Sequence, residues 1–183
     1  MRGNRLLPEQ IDVALRHPPP DRLPDSECDV RAAVTLLLAP EEGDSVRALF
    51  VMRAAHDGDP WSGHVALPGG RFDTGDRDLL DTARRETREE TEVRLSREDY
   101  LGRLSEIHPR SAHLPSIGVT PLVAWLPRRP EVRENYELAG HLWVPIDTLA
   151  SPDARSTLVR RTPGERVFPT IEYAGAVIWG LTL

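Results

Sequence analysis

Spacing of apolar residues changes several times along the chain, and each change predicts an element. From Pro8 to Arg16, Ile11, Ala14 and Leu15 fall at i, i+3 and i+4 on one helical face, and the Pro18-Pro19-Pro20 run ends that helix. Val30 to Leu38 (VRAAVTLLL) and Val46 to Met52 (VRALFVM) are β-rich runs separated by the turn chemistry of APEEGD, which predicts a hairpin. Asp78 to Val93 reads as the strongest helix, its stripe of Leu79, Leu80, Ala83, Thr87 and Val93 set among charges, with Asp76 and Asp78 near its positive end. Tyr100 to Ile107, Ile117 to Leu126 and Glu137 to Val144 read as further strands divided by Pro-containing loops. Pro145 to Ala150 reads as the start of a short helix, and Ala174 to Leu183 as a closing apolar segment. Pro-rich stretches at 18–20, 127–130 and 163–169 read as loops. The pattern is α+β with a mixed sheet, in one domain over 1–183 whose first 29 residues form a helix and a Pro-rich lead-in.

Composition narrows the partners. The 183 residues carry 29 acidic and 23 basic groups, a formal charge of −6, which argues against a nucleic-acid polymer or an anionic membrane as partner. A small anionic substrate would need a local cation. Cys28 is the only cysteine, so neither an internal disulfide nor a Cys-based zinc site is available, and a reducing cytoplasm fits. No stretch approaches the roughly 20 apolar residues that span a bilayer. A monomer or a homodimer is expected.

Chemistry concentrates on the long helix. Glu86, Glu89 and Glu90 stand at i, i+3 and i+4, which brings three like charges onto one face. Acidic faces exposed to water are common. A divalent cation would nevertheless turn this repulsion into binding, and oxygen-only ligands favour magnesium, calcium or manganese over zinc. Just upstream, Leu67-Pro68-Gly69-Gly70-Arg71 predicts a turn leading from a strand into a loop ahead of the helix, where glycine permits close approach of a ligand.

Taken together, LPGGRFDTGDRDLLDTARRETREETEV (67–93) resembles the Nudix box, G-x5-E-x7-R-E-U-x-E-E-x-G-U, in which U is bulky and apolar. Gly70, Arg85-Glu86, Glu89-Glu90 and Val93 carry the match, with Asp76 at the first glutamate position. Thr87 replaces an apolar residue, Glu92 replaces the glycine, and Gly70 and Arg85 stand one position further apart than in the box. The resemblance implies a Nudix fold, a mixed sheet sandwiched between helices in α/β/α layers, and Mg2+- or Mn2+-dependent hydrolysis of a diphosphate linkage in a small nucleotide-like substrate. It implies Glu86 and Glu90 as the main metal ligands, Glu89 as a ligand or the general base, and Arg85 as the partner orienting a glutamate.

Two further segments, WSGHVALPGG from Trp61 and the terminal IEYAGAVIWGLTL, resemble the coenzyme A diphosphatase branch, whose products are 3′,5′-ADP and 4′-phosphopantetheine. Of that branch's longer signature only Ala55, Gly63 and Pro68-Gly69-Gly70 match, while Met52, Ala54, Asp59 and Leu67 depart from it. Nucleoside triphosphates, dinucleotides and nucleotide sugars are therefore alternative substrates. Gly69, Gly70, Arg71, Arg53, Trp61 and His64 are expected to meet substrate, with His108, Arg110 and His113 as further phosphate or base readers. Glu137, before the strand LWVP, is an expected extra acidic ligand or base; Trp125, Trp143 and Trp179 lie in apolar runs and read as core. A Nudix-like module that senses a nucleotide without hydrolysis is the rival reading, and the intact Glu86, Glu89 and Glu90 argue against it. A calcium-binding interaction protein would leave the Pro-Gly-Gly segment unexplained.

Overall fold

A computed structural model describes residues 7–41, 45–54, 63–108, 116–160 and 166–180. In chain order these form α1 (Pro8–Arg16), β1 (Val30–Pro40), β2 (Val46–Arg53), β3 (Val65–Ala66), β4 (Gly69–Arg71), α2 (Leu79–Thr91), β5 (Tyr100–Arg103), β6 (Ile117–Trp125), β7 (Leu138–Pro145), α3 (Ile146–Ala150), β8 (Arg155–Arg160), β9 (Arg166–Tyr173) and β10 (Ala176–Trp179). The strands make one mixed sheet in the order β5-β6-β1-β2-β3-β10-β9-β8, with β4 added on β1 and β7 on β2. Pairing is parallel between β1 and β6 and between β3 and β10, and antiparallel elsewhere.

The central strands are buried on both sides, and their alternation shows how. Leu38, Ala48, Phe50, Val123 and Val144 enter one apolar cluster, while their chain neighbours Leu37, Leu49, Ala124 and Trp143 enter the other. Successive strand residues point to opposite faces, so both faces must be covered. Ile11 and Leu15 of α1 and Ile146 and Leu149 of α3 pack on the first face. Val93 and Leu95, just past α2, pack on the second. This is the α/β/α arrangement expected from the sequence.

Helix α2 begins where its polar punctuation says it should. The Asp78 side chain accepts a hydrogen bond from the Asp81 N–H at 2.9 Å, satisfying one of the unpaired donors of the first turn. It ends at Glu92, which adopts the left-handed conformation (φ 58°) usually taken by glycine. Its buried face is not the Leu79 and Leu80 stripe, for both are only half-buried; Thr82, Ala83, Thr87, Glu90 and Thr91 are the buried residues. Each polar group among them has a partner: the Thr87 hydroxyl donates to Thr35 Oγ1 of β1 at 2.8 Å, the Thr82 hydroxyl to Asp76 at 2.8 Å and the Thr91 hydroxyl to the Thr87 carbonyl, while Glu90 accepts the Gly69 N–H of β4 and Thr35 Oγ1 lies 3.3 Å from the Ala83 carbonyl and 3.0 Å from the Tyr100 hydroxyl.

Two loop expectations are corrected. The Gly69-Gly70 segment is not a turn: it is strand β4, antiparallel to β1 with Val34 opposite Gly69 and Ala33 opposite Gly70. Glycine is required there by proximity, since a Cβ at Gly69 would overlap the Ala33 carbonyl and lie 2.6 Å from Val34 Cα. The 163–169 stretch likewise contributes Arg166 to Pro169 to β9. Pro169 stands opposite Thr157 of β8 and one residue beyond the Thr170 to Tyr173 ladder with β10. The strand expected over Tyr100 to Ile107 stops at Arg103, with Ile107 returning as a single bridge to Val119.

Candidate functional site

The acidic face of α2 lies against β4, and this contact sets the geometry of the site. Glu90 is almost fully buried (5% exposed), and its Oε2 accepts the Gly69 N–H at 3.0 Å. Burial is the main force on this carboxyl and pushes it up to about 7; the Gly69 N–H and the charge of Arg53 oppose the shift, and the charges of Glu86 and Glu137 add to it. Glu86 sits one helical turn earlier, beneath Gly70. A Cβ on Gly70 would fall 2.5 Å from Glu86 Oε1 and 2.6 Å from Oε2, so any side chain there would push the carboxylate from its place. Burial raises Glu86 too, with Arg85 pulling the other way. Glu89 is the most exposed of the three, its side chain 55% accessible.

Arg85 ties the cluster together. Its Nε and Nη2 each meet an oxygen of Asp76 at 3.0 Å, Nη1 reaches Glu86 at 2.7 Å and Glu89 at 3.2 Å, and Nη2 also donates to the Arg71 carbonyl at 3.1 Å. Every N–H of the guanidinium is thereby committed. Asp76 receives more than this fork: the Thr82 hydroxyl donates to it at 2.8 Å and the Asp73 N–H at 3.1 Å. The hydrogen bonds from Arg85, against the cost of burial, hold its carboxyl down at about 2. Asp76 thus stands at the box glutamate position and fixes Arg85, which in turn fixes two glutamates.

Other expected residues fall at the edges of this cluster. Arg53, at the end of β2, and Glu137, just before β7, both act on Glu90 through their charge. Their backbones are close: the Ala54 N–H donates to the Glu137 carbonyl at 2.7 Å, beside an irregularity in the β2–β7 ladder between Met52 and Arg53. The His64 carbonyl accepts the Arg53 N–H at 3.0 Å, which brings His64 to the same strand end. Its ring meets that of Trp179 edge-on at 4.6 Å between centroids, and Trp179 meets Phe168 at 5.4 Å. Trp179, expected in the core, is only half-buried, whereas Trp143 is 6% exposed. The Arg71 side chain is exposed. His108 is elsewhere, 3.3 Å from the Ser116 hydroxyl at the start of β6. Trp61, Arg110 and His113, with Ala55 and Asp59, lie outside the described residues.

Among the described residues, no group of three His, Cys, Asp or Glu side chains is gathered as a finished metal site. Glu86 and Glu89 are turned to Arg85, and Glu90 to Gly69. The donor chemistry still fits a hard divalent cation: all three donors are carboxylates on one helix face, and burial makes Glu90 costly to ionise unless a positive charge is at hand. The sequence points to Asp76 as a support of the loop or of a residue behind the metal ligands rather than a ligand itself, and does not foresee the His64–Trp179–Phe168 contact. The box alignment pointed at the first; the second is tertiary and leaves no spacing signal.

A model of the NUDIX domain matches residues 29–163. An uncharacterized Nudix hydrolase NudL of Photorhabdus laumondii is 30% identical over 168 residues, 90% of this chain and 84% of that protein. A NudL of Yersinia pestis is 33% identical over 66% of this chain and 60% of its own length. An uncharacterized Schizosaccharomyces pombe protein is 33% identical over 60% of this chain, which spans only 35% of that longer protein. Among solved structures, a MutT/nudix family protein from Enterococcus faecalis superposes with a TM-score of 0.60 at 20% identity, covering 91% of this chain and 56% of the other. The NUDIX domain of Shewanella oneidensis NrtR, complexed with ADP ribose, gives 0.54 at 20% identity over 76% of this chain and 87% of that one. The chain belongs to the Nudix family, and its fold is the Nudix fold.

Proposed function

We propose that this protein is a divalent-cation-dependent hydrolase that cuts a diphosphate linkage in a nucleotide-like substrate on the acidic face of α2. One observation carries the reading: Glu86 and Glu90 are pressed against β4 at two glycines, Glu90 on the Gly69 N–H and Glu86 in the space a Gly70 side chain would take, with Arg85 also bonded to Glu86. A helix face that merely met water would leave its glutamates exposed.

Glu86 and Glu90 are the residues that would hold Mg2+ or Mn2+, with Glu89 or Glu137 completing the set. When bound, such an ion supplies charge neutralisation at the phosphate oxygens and acidifies a water molecule. Glu89, being exposed and steered by Arg85, can accept a proton from the attacking water; Glu137 is the second candidate for that task. Arg85 acts as a positioning residue, its donors already given to Asp76, Glu86, Glu89 and the Arg71 carbonyl. Gly69, Gly70 and Arg71 form the strand along which the diphosphate would lie, and Arg53 and His64 flank it as substrate contacts, while Trp61, a further expected contact, lies outside the described residues.

Coenzyme A is the first substrate to test. The segments that carry the resemblance to coenzyme A diphosphatases pack together: Ile178 of β10 pairs with Val65 of β3, and the His64 ring meets Trp179. The test is a panel of coenzyme A, nucleoside triphosphates, dinucleotides and nucleotide sugars with Mg2+ or Mn2+, with products separated by chromatography. Release of 3′,5′-ADP and 4′-phosphopantetheine supports the coenzyme A reading. Cleavage of another panel member moves the substrate within the same chemistry, and no cleavage of any member with either ion overturns the hydrolase reading.

A further inference from the structure

Beside α2 lies a cavity of about 380 Å³ whose wall includes Asp76, Asp81, Arg84, Arg85, Arg88 and Arg94. Four arginines converge there in a chain whose formal charge is −6. The stripe Asp81, Arg84, Arg85 and Arg88 follows from helical spacing, and Arg94 joins it because the chain after α2 folds back, with the Leu95 carbonyl accepting Arg84 Nε at 2.9 Å.

Both acidic residues in the wall are already neutralised. Asp76 receives the fork of Arg85, and Asp81 receives Arg77, Arg84 at 3.0 Å and Arg97 at 2.8 Å. Arg85 has no N–H left to give. By contrast, the guanidinium groups of Arg88 and Arg94 make no hydrogen bond or ion pair among the described residues, and Arg84 keeps its Nη2 donors. Two uncompensated guanidinium groups on one concave wall present planar donor forks that match the oxygens of a phosphate group.

We propose that this arginine-lined cavity is a binding site for a phosphate-class anion, distinct from the glutamate face and separated from it by Arg85. Two sources share the chemistry: free inorganic phosphate or pyrophosphate, and a phosphate group of the substrate remote from the bond that is cut. The site is tested on the full chain stripped of metal ions with a chelating resin, so that phosphate cannot bind through a cation on the glutamates. Calorimetric titration with inorganic phosphate and with pyrophosphate should give binding that weakens as sodium chloride is raised. The paired substitution Arg88→Gln with Arg94→Gln should weaken it by about tenfold or more, through loss of two charge-assisted donor groups. Arg88→Lys with Arg94→Lys should lose less, because charge survives while the fork does not. Absence of binding in the unaltered chain, or equal binding by the Gln pair with an unchanged melting temperature, overturns the proposal. The source is read from turnover: a KM that rises in the Gln pair for coenzyme A but not for dephospho-coenzyme A assigns the site to the substrate, whereas phosphate sensitivity of the unaltered chain that the Gln pair lacks assigns it to the free anion. The binding measurement needs no turnover, so its failure leaves the hydrolase reading standing, and failure of every substrate leaves the anion site standing.

Discussion

Glu90 should give the metal-free protein an inverted pH dependence, losing stability as the solution becomes less acidic. Its carboxyl is held up at about 7 against an ordinary value of 4.5, chiefly by burial. Between those limits the folded chain binds the proton more tightly than the unfolded chain does. The stabilisation is therefore complete below 4.5, declines through the window and is gone above 7. At 1.36 kcal/mol per pH unit of displacement, the loss is roughly 3 kcal/mol, a large part of the margin of a domain this size. Asp76 works in the opposite sense and outside the window, because its carboxyl is held at about 2 and its contribution disappears only as pH falls below its ordinary 3.8. Glu86 is raised as well and adds a smaller decline of the same sign. The assay is urea unfolding of resin-stripped protein at closely spaced pH values from 4.5 to 8, for the unaltered chain and for Glu90→Gln. Glutamine keeps an acceptor for the Gly69 N–H but has no proton to release, so the variant should retain less than half of the pH-dependent loss. At pH 8, Mg2+ or Mn2+ should restore stability to the unaltered chain by mass action and restore little to Glu90→Gln. A flat or rising stability in the unaltered chain, or equal slopes in the two proteins, would refute the reasoning that burial of Glu90 is what the cation offsets.

Gly70→Ala should cost about 10²-fold in kcat/KM with a small change in melting temperature, because the added carbon falls within 2.6 Å of Glu86 Oε2 and displaces the carboxylate on the scale of about 1 Å that matters for catalysis; near-normal turnover would show that Glu86 needs no fixed seat. Arg85→Lys keeps the charge but cannot span Asp76, Glu86 and Glu89 at once, so turnover and apparent metal affinity should drop about 10- to 100-fold while far-ultraviolet circular dichroism is unchanged. Glu86→Gln should abolish most activity at every metal concentration, and saturation kinetics matching the unaltered chain would remove it from the ligand set. Thr87→Val should destabilise by about 0.5–1.5 kcal/mol through loss of the buried hydrogen bond to Thr35, which keeps the Ala83 carbonyl and the Tyr100 hydroxyl, and adding Thr35→Val should cost less than the sum of the two single changes by about 0.5 kcal/mol in denaturant unfolding.

How much of this was legible depended on whether the deciding contact was local. The E-x-x-E-E spacing of Glu86, Glu89 and Glu90 specifies a shared helix face from chain geometry alone, and strands β1, β2, β6 and β7 announce themselves as apolar runs because both faces of the sheet are covered. Strand β4 was read as a turn because glycine pairs usually make turns; the force that straightens Gly69 and Gly70 is the approach of β1, which is remote in sequence. The hairpin of β8 and β9 leaves a weak strand signal because Pro169, which stands opposite Thr157, breaks the strand pattern. The same division explains the departures from the box. Thr87 in place of an apolar residue is matched by Thr35, so the pair is polar on both sides rather than defective on one. Glu92 in place of glycine still takes the left-handed conformation, with Arg133 3.9 Å from its carboxylate. Asp76 in place of glutamate is shorter by a methylene, yet the chain from it to Arg85 is longer by a residue, and both oxygens meet the guanidinium at 3.0 Å. A shorter acid with a longer loop reaches the same arginine, so the substitution and the insertion are two halves of one change. Shortening that loop by a residue while Asp76 is kept should therefore break the fork and lower turnover, and the same deletion combined with Asp76→Glu should recover it.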